Sequence, residues 1–376
     1  MALGLVADMM DVRDFETRRL IDKGLQQIRN PYFRGAIDKD QFHFTNEITP
    51  IGVAFYIAPL INATTRVGTQ EEKLMLFESM LDFRGYELVP STKRGCKGQA
   101  ETRVEQACRN CTNIKSRQTK IRDNSLEKIE KIIVNQNLLS NKILIVQLDD
   151  LITDRNLTGL IANQLMSEYQ RPVLILNKIE NEDGTITWEG SGRGYDKSRL
   201  KDFRGFLENN KYVMYAEGHA NAFGIGIRDE DISAFITSTN SALDGFDFTP
   251  IYNVDFIYKS DELTPDEVID IAGMKSLWGQ GVEEAEIAVE GIKVHKDNIR
   301  ILSPDKNPTL KIMLPNGINF MKFRSSEEEY NKLYSELGYV TINIVGECER
   351  NIWNNKISPQ VMIKDYEIVD RANYYF

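Results

Sequence analysis

Histidine and cysteine are both scarce in this chain, with three and four copies among 376 residues. The sequence contains no HExxH helix, no Walker loop, no GxSxG elbow and no paired Cys-x-x-Cys zinc pattern, which removes the common self-contained metalloprotease, NTPase and serine-hydrolase readings. Four cysteines, three of them inside one short basic stretch, do not make a disulfide framework and point to a reducing compartment. Nowhere do about 18 apolar residues run together, so no membrane-spanning helix is expected. The opening MALGLVADMMDV lacks a basic n-region and a small-residue cleavage site, which argues against secretion. A cytoplasmic setting is the expectation.

What is present is ordinary globular material: 41% hydrophobic and 27% charged residues, enough for two or three domains with cores of their own. The net charge of −10 opposes a general nucleic-acid coat. It is unevenly spread. Between Arg84 and Arg122 ten basic residues face three acidic ones, a local surplus of seven that leaves the remainder at −17. That stretch could follow a phosphate backbone, or be a solvated helix face.

The pattern changes along the chain. Residues 14–29 and most of 50–138 carry apolar positions at helical spacing, interrupted around Pro90, Gly95 and Gly98 by what reads as a polar insertion. KILIVQL (142–148) and PVLILN (172–177) are strand-like and flank an amphipathic helix at 157–169, the signature of a βαβ unit. A strand around TITWEGSGRG, a helix at 198–208, the strand KYVMYAEG and a helix at 230–243 extend this into an α/β domain. After about residue 246 short strands dominate, with a turn at Pro315-Asn316-Gly317, which suggests a small OB-like barrel. The expected fold class is therefore α/β plus β: a helical connector, a mixed α/β domain and an OB-like β-barrel. The boundaries read as 1–44, 45–138, 139–245 and 246–376.

Polar groups beside glycine-rich turns are the candidates for chemistry. Gly190-Ser191-Gly192-Arg193 reads as a turn after a strand, where backbone N–H groups and a hydroxyl approach an anion and Arg193 grips it bidentately. Gly218-His219 also follows a strand, and His219 could donate to a phosphate oxygen. Each alone is more often a structural turn. Cys96, Cys108 and Cys111 would give zinc three thiolates, but no fourth ligand lies nearby in sequence, and reduced free thiols are the preferred reading.

Taken in order, ALGLVAD, IAPLINATTRVG, GLIANQLMSEYQRPVLIL, GSGRG, GHANAFGIGI, LWGQGVEEAEI and PQVMIKDYE resemble the blocks of RecJ-family single-strand-specific DNA exonucleases across essentially the whole chain. The resemblance implies a DHH phosphoesterase domain that binds two Mn2+ or Mg2+ ions, a connector, a DHH-associated domain and an OB-like domain, acting on single-stranded DNA from the 5′ end. On that resemblance residues 1–44 are a remnant of the DHH domain. Asp8 resembles the last metal-binding aspartate, the one candidate catalytic residue. Asn62 and Arg66 match connector positions that face the substrate, Ser191, Gly192 and Arg193 match the phosphate-gripping SGR, and Gly218 and His219 match GGH.

The departures are equally definite. Glu217 stands for the first glycine of GGH, Leu60 for a connector arginine and Asp154 for a histidine, and the family's Asp-His-His triplet falls upstream of ALGLVAD. One carboxylate cannot cage two ions. The leading expectation is thus the strand-binding part of a RecJ-like 5′→3′ exonuclease, inactive alone, with a separately encoded or missing DHH half as partner. The alternative is an inactive RecJ-like scaffold in replication, and hydrolysis of small phosphodiester nucleotides is disfavoured by the OB-like extension. A phage or mobile element would suit so compact a version.

Overall fold

The computed structural model describes residues 1–44, 47–96, 98–149, 155–353 and 356–373. Asp154, one of the departures noted above, lies outside the described residues. The chain forms two compact units that interleave in sequence: one of residues 1–28, 42–58 and 252–376, the other of residues 29–41 and 59–251.

In the second unit the polar insertion carries regular structure. Strands β1 (Leu88–Pro90) and β2 (Ala100–Thr102) pair antiparallel, and Thr102 then opens a helix that runs without a break over Arg103–Asn135. Its start is a reciprocal cap: the Glu105 N–H donates to Thr102 Oγ1 at 3.2 Å and the Thr102 N–H donates to Glu105 Oε2 at 2.8 Å. Cys108, Cys111, Ile114 and Gln118, then Leu126, Ile129 and Ile133, return to one face at three- and four-residue steps, so the face is buried along its length. The basic and cysteine-bearing stretch is therefore mostly one amphipathic helix.

That helix corrects the reading of the basic region as a phosphate track. Arg84 and Arg103 share Glu78, Arg109 pairs with Glu101, Arg117 with Glu72 and Arg122 with Asp123. Glu72, Glu78 and Asp123 lie outside the stretch in which the surplus was counted. Five of its ten cations are thus ion-paired, Arg103 and Arg117 by acids that folding brings from 25 and 45 residues away.

The α/β sheet of this unit has the order β3-β4-β5-β7-β6, with β3 Leu144–Leu148, β4 Val173–Glu180, β5 Ile186–Arg193, β6 Val213–His219 and β7 Ala222–Arg228. β3 and β4 are parallel, joined through the helix Thr158–Tyr169, and all other pairs are antiparallel. On one face Leu144, Val146, Val173 and Ile175 pack against that helix and against Leu126, Ile129 and Ile133 of the long helix. On the other, Leu174, Trp188, Phe223 and Ile225 pack with Phe203, Leu207 and Phe235 from the helices Phe203–Glu208 and Ile232–Ala242.

The first unit holds the helices Ala2–Ala7 and Phe15–Gln26 and a seven-stranded sheet. Its strands are β8 Phe256–Lys259, β9 Glu286–Val294, β10 Ile299–Leu302, β11 Thr309–Met313, β12 Asn319–Phe323, β13 Gly338–Trp353 and β14 Lys356–Asn373, in the order β10-β11-β12-β14-β13-β9-β8. Gly317, at φ 93°, makes the turn between β11 and β12, as its Pro-Asn-Gly context predicts. β13 and β14 form one long hairpin, so the last two strands are far from short. Ile287, Val289, Ile312, Phe320, Ile342 and Val361 fill the core.

Beside this core Glu284 is half-buried, and its Oε1 has no hydrogen-bond partner among the described residues. Burial, and then the charge of Glu347, raise its pKa to about 7; Lys275 pulls the other way, and Glu349 and Lys364 act more weakly in opposite directions. A carboxyl whose folded pKa is raised binds its proton more tightly when folded. Stability is therefore lost as pH climbs from the ordinary glutamate range through 7. Allowing for its partial exposure, the penalty above pH 7 is about 1–2 kcal/mol. Glu284→Gln is expected to be more stable than the parent by that amount at pH 8 and about equal at pH 4, by urea unfolding. A difference that ignores pH would contradict this.

Candidate phosphate-binding site

Ser191, Gly192 and Arg193 are the last three residues of β5, and Gly218 and His219 the last two of β6. Neither segment is a free turn. Gly190 to Arg193 pair with β4 on one side and β7 on the other, so their backbone N–H groups sit in the ladder and do not cradle an anion. The two segments also end strands that are not adjacent, because β7 lies between them. Register nevertheless joins them: Arg193 is opposite Ala222, and Ala222 is opposite His219. Residues in one row share a face, so the two side chains leave the same surface about 10 Å apart, two strand spacings.

Between them the floor is bare. On that face β7 offers Ala222 and Gly224 before Gly226, which lies under the Tyr215 ring, and Arg228; a Cβ built on Gly224 would meet nothing nearer than the Gly190 oxygen at 3.8 Å. Glu217, in the row of Ser191 and Gly224, adds an exposed carboxylate where the resemblance expects glycine. Gly218, at φ 135°, approaches Ala222 and Phe223 closely, and a side chain there would be strained.

Arg193 is held from several sides. One guanidinium nitrogen donates to the Gly192 carbonyl at 2.6 Å. The Ser191 hydroxyl shares a 2.9 Å hydrogen bond with Thr158 at the start of the helix Thr158–Tyr169. A Cβ on the next residue, Gly159, would fall 2.5 Å from the Arg193 fork. Burial, and then the charge of Arg66, lower the Arg193 pKa; both make the cation costly while no anion is present. Arg66 and Asn62 are both exposed on the helix Ala58–Val67, in the same compact unit. The structure thus sets Ser191, Arg193 and Arg66 around one region, with His219 along the row.

Thr158 and Gly159 were missed as site residues. Gly159 opens the GLIA block, and a glycine in the first turn of a helix was a signal of close approach. Gly159→Ala is expected to displace the Arg193 fork and weaken anion binding several-fold. Thermal stability should hold or rise, since alanine favours the helix. Unchanged binding would show that the fork does not depend on that gap.

The metal candidates fare differently. Asp8 is exposed at the end of the helix Ala2–Ala7 in the other unit, and no group of three or more His, Cys, Asp or Glu able to hold an ion exists among the described residues. These residues do not fit a two-metal centre by themselves. Zinc at the cysteines is likewise unsupported: Cys108 and Cys111 are buried on the long helix, Cys111 accepts a hydrogen bond from Thr64 at 3.3 Å, and burial pushes the Cys108 thiol up to about 12. Cys96 is half-buried in the β1–β2 loop.

Residues 254–365 match the RecJ OB domain. Over 373 residues, 98% of this chain, the sequence is 33% identical to YorK of Bacillus subtilis (strain 168), an SPbeta prophage-derived protein named as a single-strand DNA-specific exonuclease, and equally to its counterpart in Bacillus phage SPbeta. Along nearly its whole length the chain is similar to RecJ-family proteins. The single-stranded-DNA-specific exonuclease RecJ of Bacillus subtilis (strain 168) is 25% identical over 379 residues, 97% of this chain. The chain spans 63% of the length of the first two relatives and 43% of the third. RecJ from Thermus thermophilus, solved in complex with Mn2+, shares the fold at a TM-score of 0.67 with 17% identity, covering 98% of this chain and 49% of that one. Its Mg2+ complex gives 0.66 with 16% identity, over 98% and 52%. The expected mixed α/β and OB-like classes thus hold for this chain. No described helix is long and apolar enough to cross a membrane.

Proposed function

We propose that this chain holds single-stranded DNA for RecJ-type 5′→3′ exonucleolytic degradation in replication, recombination or repair, through the β5–β7–β6 surface, the Ala58–Val67 connector helix and the OB-like strands. The observation that carries this reading is the bare glycine floor bounded by Arg193, Ser191 and His219, with Arg66 close enough to perturb Arg193. Such a floor admits a polynucleotide backbone closely, and an Arg fork without an acid partner favours a phosphate. The names of the relatives agree with it.

On this reading the division at 1–44, 45–138, 139–245 and 246–376 separates a DHH remnant, connector, DHH-associated domain and OB-like domain. Asn62 lines the substrate path, and Gly192 serves it through its carbonyl, which orients Arg193. Asp8 contributes one ligand to a Mn2+ or Mg2+ site whose other ligands come from a DHH half, supplied by a separate chain if need be. Divalent ions in such a site would activate water and neutralise charge on the phosphodiester. The residues of this chain bind and position the strand.

The test is direct. The chain is incubated with labelled single strand and duplex, with and without Mn2+. Salt-sensitive binding that prefers the single strand, without degradation, is the expected result. Degradation abolished by Asp8→Ala would refute the division of labour, and preference for duplex would refute the strand-binding site.

A further inference from the structure

Among the basic residues of the 84–122 stretch, Lys115 stands apart. It lies on the long helix one turn beyond Cys111, whose thiol accepts a hydrogen bond from Thr64 of the connector helix. Two residues further on, Arg117 donates to the Val67 carbonyl at 2.9 Å. These contacts clamp the middle of the long helix against the last turn of the connector, where Arg66 sits. Lys115 is half-buried there, and the charges acting on it are Arg122 and Arg66, both positive. Arg66 is also the charge acting on Arg193. No acid pairs with Lys115, Arg66 or Arg193 among the described residues. Three cations from a helix, a second helix and a strand therefore gather without a counter-ion.

The next turn of the long helix carries Gln118, 2% exposed, whose Oε1 accepts from Lys115 Nζ at 3.0 Å. Its Nε2 is buried without a partner among the described residues. A buried donor left open beside a partly desolvated ammonium costs stability unless an acceptor arrives. A single phosphodiester carries one negative charge, so it leaves most of the cluster uncompensated.

Resting on the strand-binding reading above, we infer that Lys115 is a third phosphate-holding cation, acting with Arg66 and Arg193 and backed by Gln118, so that this site takes two neighbouring phosphodiesters of a single strand. The long helix is then part of the binding surface at this one position, although most of its arginines are locked in ion pairs. Arg193 holds one phosphate by its fork and Lys115 the other as a point charge, with Arg66 between them.

The experiment measures affinity of the full chain for a fluorescent oligothymidylate across a range of salt. Removing one phosphate contact to a single strand lowers the slope of log affinity against log salt by about 0.7. Lys115→Gln is expected to show that decrease and to weaken binding about fivefold at moderate salt. Lys115→Arg should keep the parent slope. Lys120→Gln, elsewhere on the same helix, should change neither. Circular dichroism melts establish that each variant is folded; should Lys115→Gln not fold, Lys115→Met takes its place. Parent-like affinity and slope in the neutral variant, while Arg193→Ala weakens binding, would overturn the role of Lys115 alone. If Arg193→Ala also binds as the parent does, the strand-binding reading has failed and this inference falls with it.

Discussion

Replacing Arg193 by lysine is expected to lower affinity for single-stranded DNA by about 1–3 kcal/mol, roughly 5- to 150-fold, even though the formal charge is kept. The reason is geometric. The fork is oriented by the Gly192 carbonyl and fits the gap above Gly159, so its free N–H edge meets an anion in one pose. A lysine ammonium has neither the planar edge nor the second contact. Arg193→Met should bind more weakly still and yet unfold at an equal or higher temperature, because a half-buried cation repelled by Arg66 is removed. Equilibrium titration beside a thermal melt checks both. Parent-like binding by the lysine variant would mean that charge alone, without the fork, serves the site.

Gly190→Ala is expected to destabilise the α/β unit by about 3 kcal/mol, the upper end for a forced side chain in a packed interior. A Cβ there would lie 1.8 Å from the Ile175 carbonyl oxygen and 2.8 Å from its carbon, both backbone atoms of β4. Neither neighbour can yield, since β5 is paired on its other edge with β7 at Ile225. Relief requires opening the β4–β5 ladder, which also frees Ser191 and Arg193. Strand binding should fall together with amide protection in β4 and β5, read by hydrogen exchange. An alanine variant with parent-like protection would show that the ladder accommodates the methyl group by a route the native packing does not suggest.

Gly190 also shows how the sequence misleads. Gly-Ser-Gly-Arg has the composition of a turn, because glycine and serine are commonest where chains reverse. Here the glycines serve close packing inside a strand: Gly190 against β4, and Gly192 under the Phe223 ring. Local composition cannot separate these uses, since what crowds each glycine comes from another strand, well away in sequence. Much of the α/β unit was legible all the same. The βαβ pattern around residues 142–177 appears as β3, the helix Thr158–Tyr169 and β4, because parallel strands buried on both faces read as apolar runs.

The polar insertion shows the opposite error. Pro90, Gly95 and Gly98 do interrupt the helices, but from Arg103 the heavily charged sequence carries a buried stripe that its basic residues obscured. The charge count was sound and its consequence was not. Glu72 and Glu78, outside the counted stretch, pair with Arg117 and with Arg84 and Arg103 together.

By itself, then, the sequence determined the order and kind of elements, through apolar period, caps and turns, and the likeness to RecJ-family proteins, through ordered blocks that survive at low identity. It also named Ser191, Arg193, Gly218 and His219 as members of a possible site. Which of them share a face was decided only by the tertiary structure, through the β5–β7–β6 register that aligns Arg193 with His219 across Ala222. The same holds for the cations. Whether a lysine or arginine is free to meet a phosphate depends on which acids folding brings beside it, and Glu72, the partner of Arg117, lies 45 residues away along the chain.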